Sequence, residues 1–253
     1  MRIHGNTIFI PGATSGIGLA LAVRLHDAGN TVIVGGRRSE LLTRIAERHP
    51  GIDTVRIDTT DPDSIADAAE QVLAQHPELN VLIPMAGIMQ AEDWTSPRAA
   101  LHTSEAIVTT NLLGPLRLVA AFVEHLLAQP EATIVTVSSG LAFAPLQVTP
   151  TYNATKAAIH MFSETLRLQL AGSSVRVVEL VPPSVQTDLM PGHQDDPTAL
   201  PLDEYIDETM TLLETQPDAT EILVERVKFL RFGEVRGDQA QVIAALNQMD
   251  ALV

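Results

Sequence analysis

The sequence predicts an α/β domain with a doubly wound, mostly parallel sheet of about seven strands and helices on both faces. Short β-branched runs, each nearly continuous in apolar residues, are typical of strands that are buried on both faces. Helical patterns separate successive runs, which favours crossover connections between parallel strands. The 253 residues contain no repeat and no linker, so we expect one domain over residues 1–253.

The elements follow one another in a regular order. The predicted strands occupy residues 7–10, 31–35, 53–57, 80–84, 133–137, 175–180 and 221–224. The predicted helices occupy residues 19–29, 39–49, 63–76, 104–129 and 151–170. Gly29 and Pro50 stand where the first two helices should stop, because glycine and proline end helices. Residues 188–215 are rich in Pro and Asp and lack periodicity, which predicts either a plain surface loop or a lid over a substrate site.

The composition limits which cellular compartment and which classes of partner are expected. A net charge of −15 disfavours nucleic acid and anionic lipid as partners. The sequence has no cysteine, which excludes disulfides and zinc–sulfur sites, and no apolar run approaches the roughly 20 residues of a membrane span. The N-terminus runs directly into strand-like sequence without a signal-peptide pattern. We therefore expect a cytoplasmic protein that binds neither nucleic acid nor membrane.

Three glycines follow the first strand and open the first helix, in the segment GATSGIG. Gly12, Gly16 and Gly18 have the context in which a dinucleotide fold binds a pyrophosphate, against backbone N–H groups and the dipole of a helix start. Glycine-rich turns before helices also occur for steric reasons alone, so both interpretations are open at this point. The alternation of strands and helices favours the phosphate site and a Rossmann fold.

The end of the second strand bears on the choice of cofactor. A site for NAD usually places Asp or Glu there, about 20 residues past the glycines, to bind the ribose 2′-hydroxyl. This sequence has Gly35 and Gly36 followed by Arg37 and Arg38, and the next carboxylate is Glu40. Arginine binds a 2′-phosphate well, so NADP(H) is predicted over NAD(H), unless the arginines merely begin a solvated helix.

Four polar side chains between residues 111 and 156 are candidate functional groups. Tyr152 and Lys156 are four residues apart in TYNATK and share one face of a predicted helix. The ammonium is expected to lower the pKa of the phenol from about 10 and suit it for proton transfer to a carbonyl oxygen. Ser139 ends the fifth strand, at the edge where α/β folds bind ligands. Asn111 stands in an apolar helical stretch, either for function or as a buried amide bonded to main chain.

Together, the glycine segment at 12–18, Asn111, Ser139 and TYNATK resemble the short-chain dehydrogenase/reductase family over about residues 6–190. Ser139 precedes Tyr152 by 13 residues, as in that family. The resemblance implies hydride transfer between a nicotinamide cofactor and a carbonyl or secondary alcohol. It implies that Tyr152 exchanges the proton and that Ser139 binds the reacting oxygen. Lys156 would hold the nicotinamide ribose, and Asn111 would position a water.

The same resemblance implies a set of cofactor contacts: Gly12, Thr14, Ser15, Gly16, Ile17, Gly18, Arg37, Arg38, Asp58, Thr59, Ala86, Gly87, Tyr152, Lys156, Pro182, Val185 and Thr187. Asp58 matches the residue that contacts the adenine. Three positions depart from the family pattern, namely Pro11 for Thr, Pro84-Met85 for Asn-Asn and Pro183 for Gly. The asparagines mainly brace the sheet in the family, so these departures bear on cofactor affinity, while every catalytic group is present.

The C-terminal third lacks the family's usual ending and is similar to the DltE-like branch of short-chain oxidoreductases. The substrate pocket is expected after the fourth and fifth strands, at residues 88–94 and 140–148, with the lid above it. The residues expected to line this pocket are mainly apolar, which suits a hydrophobic ketone, aldehyde or alcohol. They are Trp94, Phe143, Leu146, Val148 and Met190. Family members commonly associate through the helices that carry Asn111 and Tyr152, which implies a homodimer or homotetramer.

Other functions stay open at this point. An NAD-linked alcohol dehydrogenase is disfavoured because position 36 is not acidic. A redox-sensing regulator would bind NADP without turnover, but such a protein need not keep all four polar groups. A methyltransferase would explain the glycines without explaining TYNATK, and related sugar epimerases are usually longer. The eight histidines lack metal-like spacing, so we expect no metal, and His160 and His193 are candidates for substrate contact.

Overall fold

The computed structural model describes residues 2–249 and is built on a seven-stranded sheet. Its strands are β1 (Thr7–Pro11), β2 (Thr31–Gly36), β3 (Ile52–Arg56), β4 (Val81–Leu82), β5 (Ala132–Val137), β6 (Val175–Leu180) and β7 (Glu221–Ile222). They are ordered β3-β2-β1-β4-β5-β6-β7, and every neighbouring pair is parallel. The predicted single-domain Rossmann fold is confirmed, although β4 and β7 are shorter than predicted.

Helices cover both faces of the sheet. They are α1 (Gly16–Asp27), α2 (Ser39–Arg48), α3 (Pro62–Gln75), α4 (Pro97–Val108), α5 (Gly114–Ala128), α6 (Pro150–Gln169), α7 (Leu202–Thr215), α8 (Lys228–Arg231), α9 (Gly233–Arg236) and α10 (Gln239–Met249). The stretch predicted as one helix over 104–129 is two helices, since a π turn at Thr109–Leu113 joins α4 to α5. Helix α6 follows its prediction closely because proline at its first turn fixes the start.

Alternation along each strand divides the core into two layers. Ile8 and Ile10 of β1 belong to one apolar cluster, which includes residues of α1, α2 and α7. Phe9 points to the opposite face and contacts Phe122 of α5, with ring centroids 5.4 Å apart. Successive side chains of a strand point to opposite faces, so nearly continuous apolar strands require helices on both sides.

Three asparagines hold the amino-terminal edge of the sheet, and we call Asn6, Asn30 and Asn80 the asparagine clamp. The backbone N–H and side-chain amide of Asn6 donate to Asn30 Oδ1 at 2.9 and 3.0 Å. Asn80 Nδ2 donates to Asn6 Oδ1 at 3.2 Å, and Asn80 Oδ1 accepts from the N–H of Thr7 at 2.9 Å. The clamp thus joins the starts of β1, β2 and β4.

One helical stretch, Ala100–Ala128, is long and apolar enough to cross a membrane by length and composition alone. Its buried residues Leu118, Phe122 and Leu126 belong to the core cluster between the sheet and α3, α5 and α6. That packing accounts for one apolar face of the stretch, because a helix that covers a parallel sheet buries one face against it.

Candidate active site

The carboxyl ends of the strands border a cleft of about 400 Å³. It lies where the strand order reverses, with β1 between β2 and β4, which is the position where open α/β sheets bind ligands. Most of the predicted site residues line it: Gly12, Ser15, Gly16, Ile17, Gly18, Gly87, Ser139, Tyr152, Lys156, Pro182, Val185 and Thr187. Thr14, Arg37, Arg38, Asp58, Thr59, Ala86 and Asn111 lie outside this lining.

The glycines do two different jobs at the start of α1. Gly12 has a φ of 94°, and a Cβ there would lie 2.2 Å from the backbone nitrogen of Ala86. Its role is therefore close packing against the segment after β4, the steric alternative raised above. Gly16 has a φ of 55° and begins α1, whose first turn lines the cleft. Within the described chain the Ser15 side chain does not cap this helix, so its first N–H groups can bind the phosphates of a dinucleotide.

Two exposed arginines lie beside the end of β2. Arg38 Nη2 donates to Thr14 Oγ1 at 3.2 Å, and Arg37 Nη1 lies 4.0 Å from Asp58 Oδ2. Burial raises the pKa of the Asp58 carboxyl, but hydrogen bonds from Thr60 and the charge of Arg37 outweigh it, so that pKa is lowered. The structure thus groups Thr14, Arg37, Arg38 and Asp58 next to the cleft, at the side where the resemblance places the adenosine half of the cofactor.

Two predicted cofactor contacts face protein instead. Ala86 packs behind Gly12. Thr59 is buried, and its carbonyl would lie 3.0 Å from a Cβ on Gly114, so it adjoins the start of α5. Neither side chain reaches the cleft lining, because both belong to the packing that supports it.

Two of the departures from the family pattern, Pro11 and Met85, are joined by a main-chain hydrogen bond between β1 and the segment after β4. The carbonyl of Pro11 accepts the N–H groups of Met85 and Ala86 at 2.9 and 3.1 Å. These bonds fix the segment after β4 to the end of β1, where the family uses asparagine to brace the sheet. Pro182, the residue before the departure at Pro183, accepts the N–H of Gly140 at 2.9 Å, which ties the end of β6 to the turn after β5.

Ser139 and Tyr152 meet at the floor of the cleft. Ser139 precedes a short 3₁₀ turn, Gly140–Ala142, and its Oγ accepts the N–H of Leu141 at 3.1 Å. Burial raises the pKa of the Tyr152 phenol to about 12, although a hydrogen bond with the Ser139 side chain opposes the shift. The expectation of a lowered pKa is therefore wrong for this structure. Tyr152 is a phenol at neutral pH, and it is able to donate a proton.

Lys156 lies one helical turn further along the same face of α6. Its Nζ donates to the carbonyl of Val137 at 2.9 Å and lies 5.5 Å from the centroid of the Tyr152 ring. Burial lowers the pKa of Lys156 to about 8, and the Glu179 carboxylate acts in the opposite direction. The site therefore places a buried ammonium beside a buried phenol.

Asn111 lies in the π turn between α4 and α5 and is buried. Its Oδ1 accepts the N–H of Ile88 at 2.8 Å, and its Nδ2 donates to the carbonyl of Ile88 at 2.8 Å. The amide is thus satisfied by main chain, as the structural alternative predicted. The π turn aims Asn111 at the segment after β4, and such turns are frequent at functional sites.

The predicted substrate pocket is only partly correct. Leu146 lines the cleft, but Trp94 and Val148 are exposed and lie outside the lining. Phe143 packs against the His160 ring instead, with centroids 4.7 Å apart. Met190 packs beside the small cluster that contains Tyr152.

The C-terminal helices supply two lining residues that the sequence did not reveal, Leu230 and Leu246. Asn247 Oδ1 accepts the N–H of Gln147 at 2.6 Å, and its Nδ2 donates to the carbonyl of Pro145 at 3.1 Å. These bonds hold α10 against the loop after β5. The only sequence signal was the apolar face of a short helical pattern at 239–249. That pattern does not indicate which segment of the chain the helix packs against.

The predicted lid divides into two parts. Asp188, Leu189, His193, Asp196 and Thr198 line the cleft. Residues Leu202–Thr215 form α7, whose buried Tyr205 and Ile206 belong to the main core, so this half packs as a structural helix. Of the two histidine candidates, His193 lines the cleft and His160 does not.

His160 faces a buried carboxylate that the sequence analysis overlooked. Glu179 of β6 is fully buried, and its oxygens lie 2.9 and 3.1 Å from His160 Nδ1. With Glu221, these are the one group of three metal-ligand side chains in residues 2–249 whose ligand atoms lie within 4.8 Å of one another. Arg231 already donates to both oxygens of Glu221, at 2.9 and 3.1 Å. The available signal was a single carboxylate in the apolar strand VRVVEL.

Comparison with known proteins agrees with this geometry. The family model for short chain dehydrogenases matches residues 6–198. The chain is 38% identical to the uncharacterized oxidoreductase DltE of Bacillus subtilis, over 99% of this chain and 100% of that one. It is 30% identical to the 3-oxoacyl-[acyl-carrier-protein] reductase FabG of Thermotoga maritima, over 75% of this chain and 78% of that one.

A solved structure shows the same fold over almost the whole chain. The short chain dehydrogenase of Burkholderia cenocepacia J2315, in complex with NADP, matches with a TM-score of 0.81 at 26% identity, covering 97% of this chain and 99% of that one. From the family match, the full-length relative and the shared fold, the chain belongs to the short-chain dehydrogenase/reductase family and is a DltE-like oxidoreductase.

Proposed function

We propose that the chain is an NADP(H)-dependent oxidoreductase that reduces a ketone or aldehyde, or oxidises the corresponding alcohol, with Tyr152 as the proton donor or acceptor. One observation carries the proposal, namely that Ser139, Tyr152 and Lys156 line the same cleft as the first turn of α1. A proton donor for a carbonyl oxygen and a binding site for a dinucleotide pyrophosphate thus share one cavity.

Tyr152, Ser139 and Lys156 have different roles in the proposed proton transfer. Tyr152 donates its phenolic proton to the carbonyl oxygen, and the Ser139 hydroxyl binds that oxygen. Lys156, held by the carbonyl of Val137, is the cation that stabilises the phenolate left on Tyr152. A bound nicotinamide cofactor supplies the hydride. Asn111 holds the segment at Ile88 and, as a proposal from the resemblance, positions a water near Lys156.

Arg37 and Arg38 support NADP(H) as the preferred cofactor. Both are exposed and stand where an NAD site needs a carboxylate. Guanidinium groups bind a phosphate through charge-assisted hydrogen bonds. They have no acceptor atom, so they cannot accept a hydrogen bond from a ribose hydroxyl. The Burkholderia protein was solved with NADP, which favours the same choice.

The remaining lining supports an apolar substrate. Side chains without a charge form much of the cleft wall beyond the catalytic groups, and they are Met89, Leu141, Leu146, Leu189, Leu230 and Leu246. Burial of apolar substrate surface against them would favour binding by roughly 25 cal/mol per Å². We therefore propose a hydrophobic ketone, aldehyde or secondary alcohol.

Association and location belong to the same proposal. Several large apolar side chains of α4, α5, α6 and the π turn are exposed: Leu101, Leu113, Leu127, Met161 and Leu168. Their burial against a second copy would account for a homodimer or homotetramer, in the cytoplasm. Light scattering after size exclusion measures this directly, and a monomer at micromolar concentration would contradict it.

The decisive experiment measures consumption of NADPH and of NADH against a panel of aldehydes, ketones and diketones. The Tyr152→Phe variant and a binding assay by NADPH fluorescence accompany each measurement. Turnover with NADPH that disappears in the variant supports the proposal. Turnover of similar size in the variant contradicts the role of Tyr152. NADPH binding without turnover on any substrate favours the redox-sensing regulator instead.

A further inference from the structure

A chain of charged side chains extends from the cleft into the protein behind Lys156. It runs from Lys156 and His160 of α6 to Glu179 of β6, then to Glu221 of β7 and Arg231 of α8. The proposed reaction uses only Lys156 of this set. The other four groups therefore need an explanation, because Glu179 is fully buried and a buried charge is costly unless it is paired.

Glu179 occupies a position where the fold predicts an apolar side chain. Val175 and Val177 of β6 belong to the cluster between the sheet and α6, and Glu179 continues the same alternating face. Its side chain is 0% exposed, yet Phe162 and Leu166 of α6 pack along this face. A carboxylate at this place gains nothing from the apolar core.

Burial raises the pKa of Glu179, and the hydrogen bond with His160 is a contact that favours its ionised form. His160 Nδ1 lies within hydrogen-bond distance of both carboxylate oxygens, and since an ionised carboxylate only accepts, Nδ1 carries the proton. The nearby Glu221 acts on this pKa in the same direction as burial, while His160 and Ser138 oppose them.

Glu179 lies on the strand that pairs with Val137, the residue whose carbonyl binds Lys156. The ammonium donates to Val137, which pairs in register with Leu180, the residue after Glu179. Lys156 and His160 are four residues apart, so both project from one face of α6 toward β6. Burial disfavours the ammonium of Lys156, and the Glu179 charge is the group that counters it.

We propose that Glu179 is a positioning residue for Lys156, and that its buried carboxylate, oriented by His160, keeps Lys156 in the ammonium form beside Tyr152. The proposed function is the premise for the use of this arrangement, because the ammonium is the form that stabilises a Tyr152 phenolate. Arg231 and Glu221 complete the set: Arg231 donates to both oxygens of Glu221, and His160 Nδ1 lies 2.9 Å from Glu179 but 3.9 Å from Glu221, so the His160 proton goes to Glu179.

The chain offers a direct measurement, because it contains only two lysines, Lys156 and Lys228. Protein labelled with ¹³C at lysine Cε gives two resonances, and a Lys228→Arg variant assigns them. The pH midpoint of the Lys156 signal is then measured in the full chain without cofactor or substrate. In Glu179→Gln we expect that midpoint to fall by about 1 pH unit, because an anion near the ammonium is removed. An unchanged midpoint would overturn the proposal.

Two controls separate this effect from a general change of charge or fold. Glu225→Gln removes an exposed carboxylate that pairs with Lys228, and it should leave the Lys156 midpoint in place. His160→Leu removes the donor to Glu179 and should lower the midpoint, whereas His160→Asn restores a donor and should recover it. If Glu179→Gln fails to fold, the two His160 variants decide the matter, and equal midpoints in both contradict the proposal.

The titration is independent of turnover. A midpoint that shifts in a chain without reductase activity would retain the role of Glu179 and reject the proposed function. Turnover that depends on Tyr152, together with an unmoved midpoint, would retain the function and reject the role of Glu179.

Discussion

The Lys156 ammonium lies 5.5 Å from the centroid of the Tyr152 ring, and both side chains are buried on one face of α6. Burial raises the pKa of the Tyr152 phenol, which favours its protonated form, and lowers the pKa of Lys156, which disfavours its charged form. In the proposed mechanism, proton donation from Tyr152 therefore depends on Lys156 remaining charged.

Tyr152→Phe should lower kcat by about 10²- to 10⁴-fold, the usual contribution of a general acid. The ring and its packing remain, so affinity for NADPH, measured by fluorescence titration, should change little. A loss of NADPH binding equal to the loss of rate would show that Tyr152 acts mainly in binding.

Carbonyl reduction should decline as the pH rises through about 8, the pKa of Lys156. Lys156 is charged below that pH and neutral above it, while Tyr152, with a pKa of about 12, stays protonated in this range. The measurement is kcat/KM for NADPH against pH, since it reports the cofactor-free enzyme. Lys156→Arg cannot lose its charge, so this decline should be absent from whatever activity the variant retains.

Arg37→Asp should lower the ratio of kcat/KM for NADPH to that for NADH by about 10- to 100-fold, because a phosphate ligand is exchanged for a ribose acceptor. Arg44→Asp makes the same change of charge at an exposed position of α2. If both variants shift the ratio equally, the effect is one of overall charge and Arg37 does not select the cofactor.

Gly12→Ala should lower the free energy of unfolding by about 3 to 5 kcal/mol, from a positive φ combined with overlap on Ala86. Gly29→Ala provides the control, because its φ is 87° and a Cβ there meets no atom within 4 Å. That variant should lose only about 1 to 2 kcal/mol. Urea denaturation of both variants measures the difference, and equal losses would show that Ala86 moves aside.

Leu246→Ala should raise KM for apolar substrates by about 10-fold, the effect of removing one buried aliphatic contact. Activity on a small substrate such as an aldehyde of few carbons should change less. Val235→Ala shortens an aliphatic side chain at an exposed position of α9 and should leave both KM values unaltered. Equal KM values for wild type and Leu246→Ala would remove α10 from the substrate wall.

The fold was predictable because its signals are local. A buried parallel strand must be apolar on both faces, so β1, β2 and β5 are visible in any short window of sequence. The catalytic spacing of Ser139, Tyr152 and Lys156 is similarly contained within one strand, one loop and one helix.

The parts that were missed depend on contacts between distant segments. Leu246 reaches the cleft only because Asn247 bonds to the loop after β5, about one hundred residues away in sequence. Phe143 was predicted to line the pocket because it follows Ser139 closely, but it packs against the His160 ring instead. The raised pKa of Tyr152 has the same origin, since burial depends on the whole packed site.

The asparagine clamp lies at the opposite edge of the sheet from the cleft. It aligns β1, β2 and β4 through bonds that involve no residue of the cleft lining. Register and reactivity are therefore maintained by separate sets of side chains. The loops at the carboxyl edge can therefore change in sequence without removing any bond among Asn6, Asn30 and Asn80.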